Sequence, residues 1–203
     1  MTRFLLTLVL AVAFVAPGAR AAAQTANVQS LGYDKGNPSA PIVIVEFGDF
    51  GCSACAQFAR ETLGAIQREF ISTGMVRWKY VPFILGSFPN SGAATRAAEC
   101  AAEQDAFWSM HDMLYERQKE WNRLRNPREV LESFATDMGL DRTRFRKCYQ
   151  DDPRRGRIED NNTAAKDLLI RGTPTFFVNG RRAVGALPIT EWRRIIALVA
   201  GGG

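Results

Sequence analysis

The chain carries a single histidine among 203 residues. A Cys–His hydrolase needs that histidine beside its nucleophile. Nothing in the sequence brings His111, within Phe107-Trp108-Ser109-Met110-His111-Asp112, to a cysteine. It is expected to be a structural or surface histidine on a helix. Long apolar runs are also missing. Residues 4–16 form an apolar run of 13 residues, short of the roughly 17–25 that a membrane span requires, and no other segment is apolar enough to cross. Charge of one sign is weak: 26 basic residues against 21 acidic give a net charge of +5. That balance is too mild to imply a nucleic-acid partner. There is no internal repeat and no low-complexity tract.

What is present at the N-terminus reads as an export signal. Arg3 precedes the apolar run, Pro17 and Gly18 break it, and Ala19, Ala21, Ala22 and Ala23 follow. This is the layout of a cleavable signal peptide. Residues 1–23 are assigned to it, with the mature chain expected to start at Gln24. Loss of Arg3 and Arg20 brings the net charge to about +3. The remaining chain is long enough for one domain with a substantial core and short for two.

Four cysteines, Cys52, Cys55, Cys100 and Cys148, lie behind that signal. An even count in an exported chain points to disulfides. Four cysteines permit three pairings, and sequence alone does not choose among them. Cys52 and Cys55 are close enough to pair locally, which leaves Cys100 with Cys148.

Residues 24–40 are polar and turn-rich, and are expected to form a loose arm with at most one short strand near Val28. Residues 41–47 (PIVIVEF) read as a buried strand, 52–70 as a helix with Phe58, Leu63, Ile66 and Phe70 near one face, and 76–83 as a second strand. That order predicts a parallel βαβ unit. Residues 88–169 are rich in helix formers and predict four or five helices, with Pro127 and Pro153 in first turns after Asn126 and Asp152 as caps. Strands at 175–178 and 181–184 flank Asn179-Gly180, a strong hairpin signal. A terminal helix over 188–200 turns Ile189, Trp192, Ile195, Ile196 and Val199 to the core.

Position gives the sequence Cys52-Ser53-Ala54-Cys55 its meaning. A lone C-x-x-C can be a structural disulfide, half of a metal site or a redox centre. Here it follows a buried strand and opens a long helix. Free N–H groups and the positive helix end then favour the Cys52 thiolate. The dipole, worth up to about 2 kcal/mol, lowers a thiol pKa by roughly one and a half units. Cys55, one turn on, points inward. Cys52 is the expected exposed nucleophile and Cys55 the shielded resolving thiol.

Further residues extend the pattern. Glu46-Phe47 lies on the strand ahead of the pair, and Gly172-Thr173-Pro174-Thr175-Phe176-Phe177-Val178-Asn179-Gly180 follows far downstream. In combination, from about Pro41 to the C-terminus, these resemble the DsbA-like family of periplasmic thiol–disulfide oxidoreductases, within the thioredoxin superfamily. The resemblance implies an α/β thioredoxin-like fold with a helical insertion. It implies a redox pair at Cys52 and Cys55, and a cis-proline at Pro174 facing that pair. Thr173 would offer its backbone to substrate by strand addition. Glu46, six residues before Cys52, would be a buried acid that relays a proton to or from Cys55. Some relatives join two insertion helices by a second disulfide, which Cys100 and Cys148 fit; a second redox pair or two free thiols are the alternatives.

The implied function is an exported oxidoreductase that introduces disulfides into unfolded or partly folded exported proteins and is reoxidised by a membrane partner. No cofactor or metal is expected. Two departures bear on direction. Ser53-Ala54 replaces the proline and histidine of the strongest oxidants, which predicts a milder one, and Thr173 resembles isomerases and reductases. A disulfide isomerase or reductase on the same scaffold is therefore the alternative reading. A periplasmic thiolate metal-binding protein, for example for Cu(I), is another. The basic stretch 142–157 reads as a solvated helix face, with an acidic docking partner as the other reading. Phe83 and Phe88 are candidates for an apolar surface beside the pair.

Overall fold

A computed structural model of the chain describes Val28 and residues 30–201. The signal-peptide assignment over 1–23 lies outside these residues. Five strands form one sheet: β1 (Tyr33–Lys35), β2 (Ile42–Gly48), β3 (Val76–Pro82), β4 (Thr175–Val178) and β5 (Arg181–Val184), in the order β1-β3-β2-β4-β5. β2 and β3 run parallel, with Glu46 opposite Tyr80. The other neighbours are antiparallel.

β2 and β4 are largely apolar because both sheet faces are covered, whereas β3 also carries Arg77 and Lys79, which pair with Asp34 on the side of β1. On one face Ile42, Ile44, Trp78 and Phe176 pack against Phe58, Ile66, Trp192 and Ile196. On the other Val45, Phe47 and Val81 meet Ala164, Ala165 and Ile170. The first packing surface comes from helix α1, residues 53–71, and α8 (Ile189–Gly201). α1 is wound more widely over Ala59–Leu63 and Gln67–Ile71, with hydrogen bonds one residue longer than in an α-helix. Removing a fully buried aromatic such as Trp78 or Trp192 from this core would cost roughly 3–5 kcal/mol.

The helical insertion contains α2 (Ser91–Ala102), α3 (Phe107–Glu116), α4 (Gln118–Trp121), α5 (Arg128–Asp137), α6 (Arg142–Asp151) and α7 (Arg155–Asp167). That is one helix more than expected, because a tight break at Arg117 sets off the single turn α4. Met110, Leu114, Trp121, Phe134 and Phe145 form its own core, which also takes in Phe50 and Tyr80 from the sheet side. Cys100 on α2 and Cys148 on α6 are joined by a disulfide with Cα atoms 5.7 Å apart, a separation at which a disulfide is unstrained.

Several local expectations are corrected. From residue 30 on, the polar arm packs onto the fold. Its strand is Tyr33–Lys35 rather than near Val28, and Lys79 Nζ donates to Leu31 O (2.7 Å) and Asp34 (3.0 Å). Arg77 pairs with Asp34, Tyr33 donates to Glu99 (2.6 Å), and the Trp108 indole donates to Asp34 O. These partners lie far apart in sequence, so no local pattern announces them. Pro127 and Pro153 precede their helices instead of entering the first turn. Pro127 is the N-cap of α5, and Asp152, with φ +48°, ends α6 rather than capping α7. Asn126 still accepts from Arg128 N–H at 3.1 Å. Phe83 is core, not surface. Most of the basic stretch is paired: Arg146 with Glu132, Lys147 with Asp151, Arg154 with Glu103, Arg155 with Glu159 and Arg157 with Glu99.

The hairpin forms as read. Asn179 and Gly180 have φ of +44° and +83°, the conformation a two-residue turn needs. Asn179 also extends the β2 ladder: its N–H donates to Val43 O (2.9 Å) and its Oδ1 accepts from Val43 N–H (2.8 Å).

Candidate active site

Cys52 is the N-cap of α1, with extended backbone (φ −73°, ψ 123°), and its sulfur accepts from Cys55 N–H at 3.5 Å. Across from it lies the turn before β4, where the Thr173–Pro174 bond is cis. The Cys52 thiol donates to Thr173 O at 3.3 Å. The structure therefore brings Cys52, Cys55, Thr173 and Pro174 together from segments about 120 residues apart.

The thiol pair is electrostatically asymmetric. The Cys52 pKa is lowered from 9.0 to about 6. The Cys55 thiol hydrogen bond is the largest cause; the Thr173 side chain and the N–H groups of Cys55 and Ala54 add to it, against the cost of burial. Thr173 Oγ1 is buried with no other partner, so its hydroxyl is free to serve the thiolate. Cys55 moves the opposite way, pushed well above 9.0 by burial and by the neighbouring Cys52. A low-pKa thiol is both nucleophile and leaving group. One expectation needs correction: Cys52 is not an exposed nucleophile. It is 3% accessible against 0% for Cys55, because the Thr173 turn sits over it.

Glu46 is fully enclosed on β2, and burial raises its pKa from 4.5 to about 8. The nearby Trp78 indole opposes that rise. The indole nitrogen is nonetheless outside hydrogen-bond geometry, and neither it nor Glu46 Oε2 has a partner. Glu46 in turn raises the Cys55 pKa, so the acid and the resolving thiol share one field. Such an acid can hold or release a proton near neutral pH.

Four neighbours were not singled out from the sequence. Gln118, on α4, donates through Nε2 to Phe50 O (2.7 Å) and Cys52 O (3.0 Å). Asp49 is a second buried acid, within the turn itself. Tyr80 and Tyr115 hydroxyls meet at 2.6 Å beneath Phe50. Asp49 was visible only as a turn residue, and Gln118 lies 66 residues from Cys52 in sequence. His111 is fully buried among Tyr80, Tyr115 and Phe50, its Nδ1 2.7 Å from Asp112. Burial lowers its pKa, which suits a structural histidine. Phe88 is partly buried and packs against the same core as Cys52.

Among the described residues, no cluster of three or more His, Cys, Asp or Glu side chains is placed to hold a metal ion.

Known proteins are similar to this chain in sequence and in fold. A family model described as thioredoxin matches residues 32–197. The Na(+)/H(+) antiporter NhaA 3 of Salinispora tropica is 40% identical over 151 residues, covering 74% of this chain but 22% of the antiporter. The chain thus spans about a fifth of the length of such relatives. The probable disulfide bond formation protein D of Bacillus anthracis is 30% identical over 158 residues, covering 76% of this chain and 71% of that protein. Among solved structures, oxidised BdbD from Bacillus subtilis superposes with TM-score 0.73 at 24% identity, covering 82% of this chain and 91% of that one. Wolbachia pipientis alpha-DsbA1 gives TM-score 0.76 at 20% identity, covering 87% and 96%. With its fold shared by the BdbD and alpha-DsbA1 structures and its sequence matched over residues 32–197, the chain belongs to the thioredoxin family.

Proposed function

We propose that the protein is an exported thiol–disulfide oxidoreductase that introduces disulfide bonds into protein substrates. The carrying observation is the split between the two thiols. Cys52 has its pKa lowered to about 6, whereas that of Cys55 is raised well above 9.0. The reaction starts from the Cys52–Cys55 disulfide. A substrate thiolate attacks Cys52 Sγ; the Cys52–Cys55 bond breaks, a mixed disulfide forms, and Cys55 leaves and takes up a proton, a role assigned to Glu46, whose charge acts on Cys55. A second substrate thiolate then attacks the substrate sulfur of the mixed disulfide. Cys52 departs as the stabilised thiolate, and the substrate leaves oxidised by two electrons.

Pro174 is assigned to the catalytic site facing the pair, and Thr173 to substrate binding beside Cys52. The Cys100–Cys148 bond is assigned a structural role inside the insertion. A cleavable signal over residues 1–23 would place the protein in the periplasm, where cysteine-bearing exported chains are the substrates and a membrane protein restores the disulfide.

The test is the reduction potential of Cys52–Cys55 in a glutathione series. A Cys52 pKa of about 6 lies between those of thioredoxin, about 7, and DsbA, about 3.5. The potential is expected between their values of about −270 and about −120 mV. A value at or below thioredoxin's would replace the disulfide-donor reading with a reductase or isomerase. Stoichiometric metal retained by the purified dithiol form would replace it with thiolate metal binding.

A further inference from the structure

Two buried acids flank the redox turn, and they are used differently. Glu46 leaves one carboxylate oxygen without a partner. Asp49 is saturated. Its Oδ1 accepts from Gly51 N–H (2.8 Å) and from the Ser91 hydroxyl (2.5 Å), and its Oδ2 accepts from Leu85 N–H (2.9 Å). Its main-chain oxygen also accepts from Cys52 N–H at 3.0 Å. One residue thus grips the turn at Gly51 and Cys52, the loop after β3 at Leu85, and the first residue of α2.

The fit around this grip is close. A Cβ at Gly51 would lie 2.5 Å from Ser91 Oγ, 2.7 Å from Phe88 Cβ and 3.3 Å from Asp49 Oδ1. The turn therefore runs flush against the insertion with no space for a side chain at position 51. Ser91 and Asp49 are both buried, so water does not compete for these bonds.

We propose that Asp49 is a positioning residue for Cys52: it ties the redox turn to the insertion and so fixes the direction in which the N–H groups and the Cys55 thiol meet the Cys52 sulfur. The inference rests on the disulfide-exchange reading for its purpose, but not for its test. Asp49 touches neither sulfur through its carboxylate and is not itself a catalytic residue.

The opposing effect has a definite sign. Removing a buried negative charge near a thiol, by itself, favours the thiolate and lowers its pKa. Loss of the positioning contacts raises it. The two roles therefore separate by direction.

The experiment titrates the Cys52 thiolate by ultraviolet absorbance. It uses the full chain in its dithiol form with Cys100–Cys148 intact, and subtracts a Cys52→Ser control. For Asp49→Ala the midpoint is expected to rise by more than one unit, so that a rise of two units from about 6 would leave roughly a tenfold smaller thiolate fraction at pH 7. Ser91→Ala, which removes one of the three side-chain bonds, is expected to move it up by less. An Asp49→Ala midpoint that stays in place or falls overturns the proposal. If Asp49→Ala does not fold, Ser91→Ala decides, and an unmoved midpoint there overturns it. Failure of the exchange reading appears elsewhere, as a wild-type protein that does not exchange disulfides while its Cys52 titration still responds to Asp49.

Discussion

The two cysteine pairs of this molecule have the same atoms and opposite surroundings. Cys52 and Cys55 sit where a strand, a helix end and the Thr173 turn converge, among N–H donors and a hydroxyl without another partner. Cys100 and Cys148 sit between two helices of the insertion, in contact with Phe145, Tyr149 and alanine side chains. The first pair has a place for negative charge. The second has none. Reactivity here follows from what the sulfur can accept from its neighbours, since both pairs are almost equally buried.

The sharpest way to break this comparison is to remove one sulfur from each pair. Cys52→Ser is expected to abolish exchange, and Cys55→Ser to accumulate mixed disulfides visible by mass. Exchange at the wild-type rate in Cys52→Ser would end the argument. The double change Cys100→Ala/Cys148→Ala should leave a large part of exchange in place. It should instead lower the unfolding free energy by about 4 kcal/mol in the chain-entropy model for a loop of this length, read from denaturant midpoints. A larger effect on exchange than on stability would make the second pair a redox partner of the first.

Glu46 sharpens the comparison through pH. Its folded pKa, about 8, is raised above the ordinary 4.5. The folded state therefore binds the proton more tightly, and the associated stability is full below about 4.5 and is lost as pH rises to about 8. Glu46→Gln stays neutral throughout. Measured on the oxidised protein, where Cys52 and Cys55 do not titrate, the variant should gain on wild type across that window by a few kcal/mol. Parallel pH profiles would mean that Glu46 reaches water. The smallest effect is expected at the surface. Lys147→Ala removes an exposed pair with Asp151 and should leave both the denaturant midpoint and the exchange rate unchanged.

What could be read from the sequence divides along the same line as the chemistry. The strands around PIVIVEF, the Asn179-Gly180 hairpin and the C-x-x-C helix start are local patterns, and each formed with its expected boundaries to within a residue or two. Glu46, Thr173 and Pro174 were legible through a family resemblance. Gln118, the Asp49–Ser91 bond and the Asp34–Lys79 pair were not. Each joins residues 42 or more apart, and a buried glutamine on one helical turn has no periodicity of its own. The exposure of Cys52 was misjudged for the same reason, since the turn that covers it comes 121 residues later.

That distance has a consequence for how the chain is made. Cys52 and Cys55 are synthesised early, but the Thr173 hydroxyl and the Gln118 clasp come from much later segments. Contacts of such long range form late in folding. A growing chain therefore lacks these two contacts, and the surroundings of Cys52 are complete only when the last strands have closed over it. The setting that tunes this sulfur is in this way tied to completion of the fold.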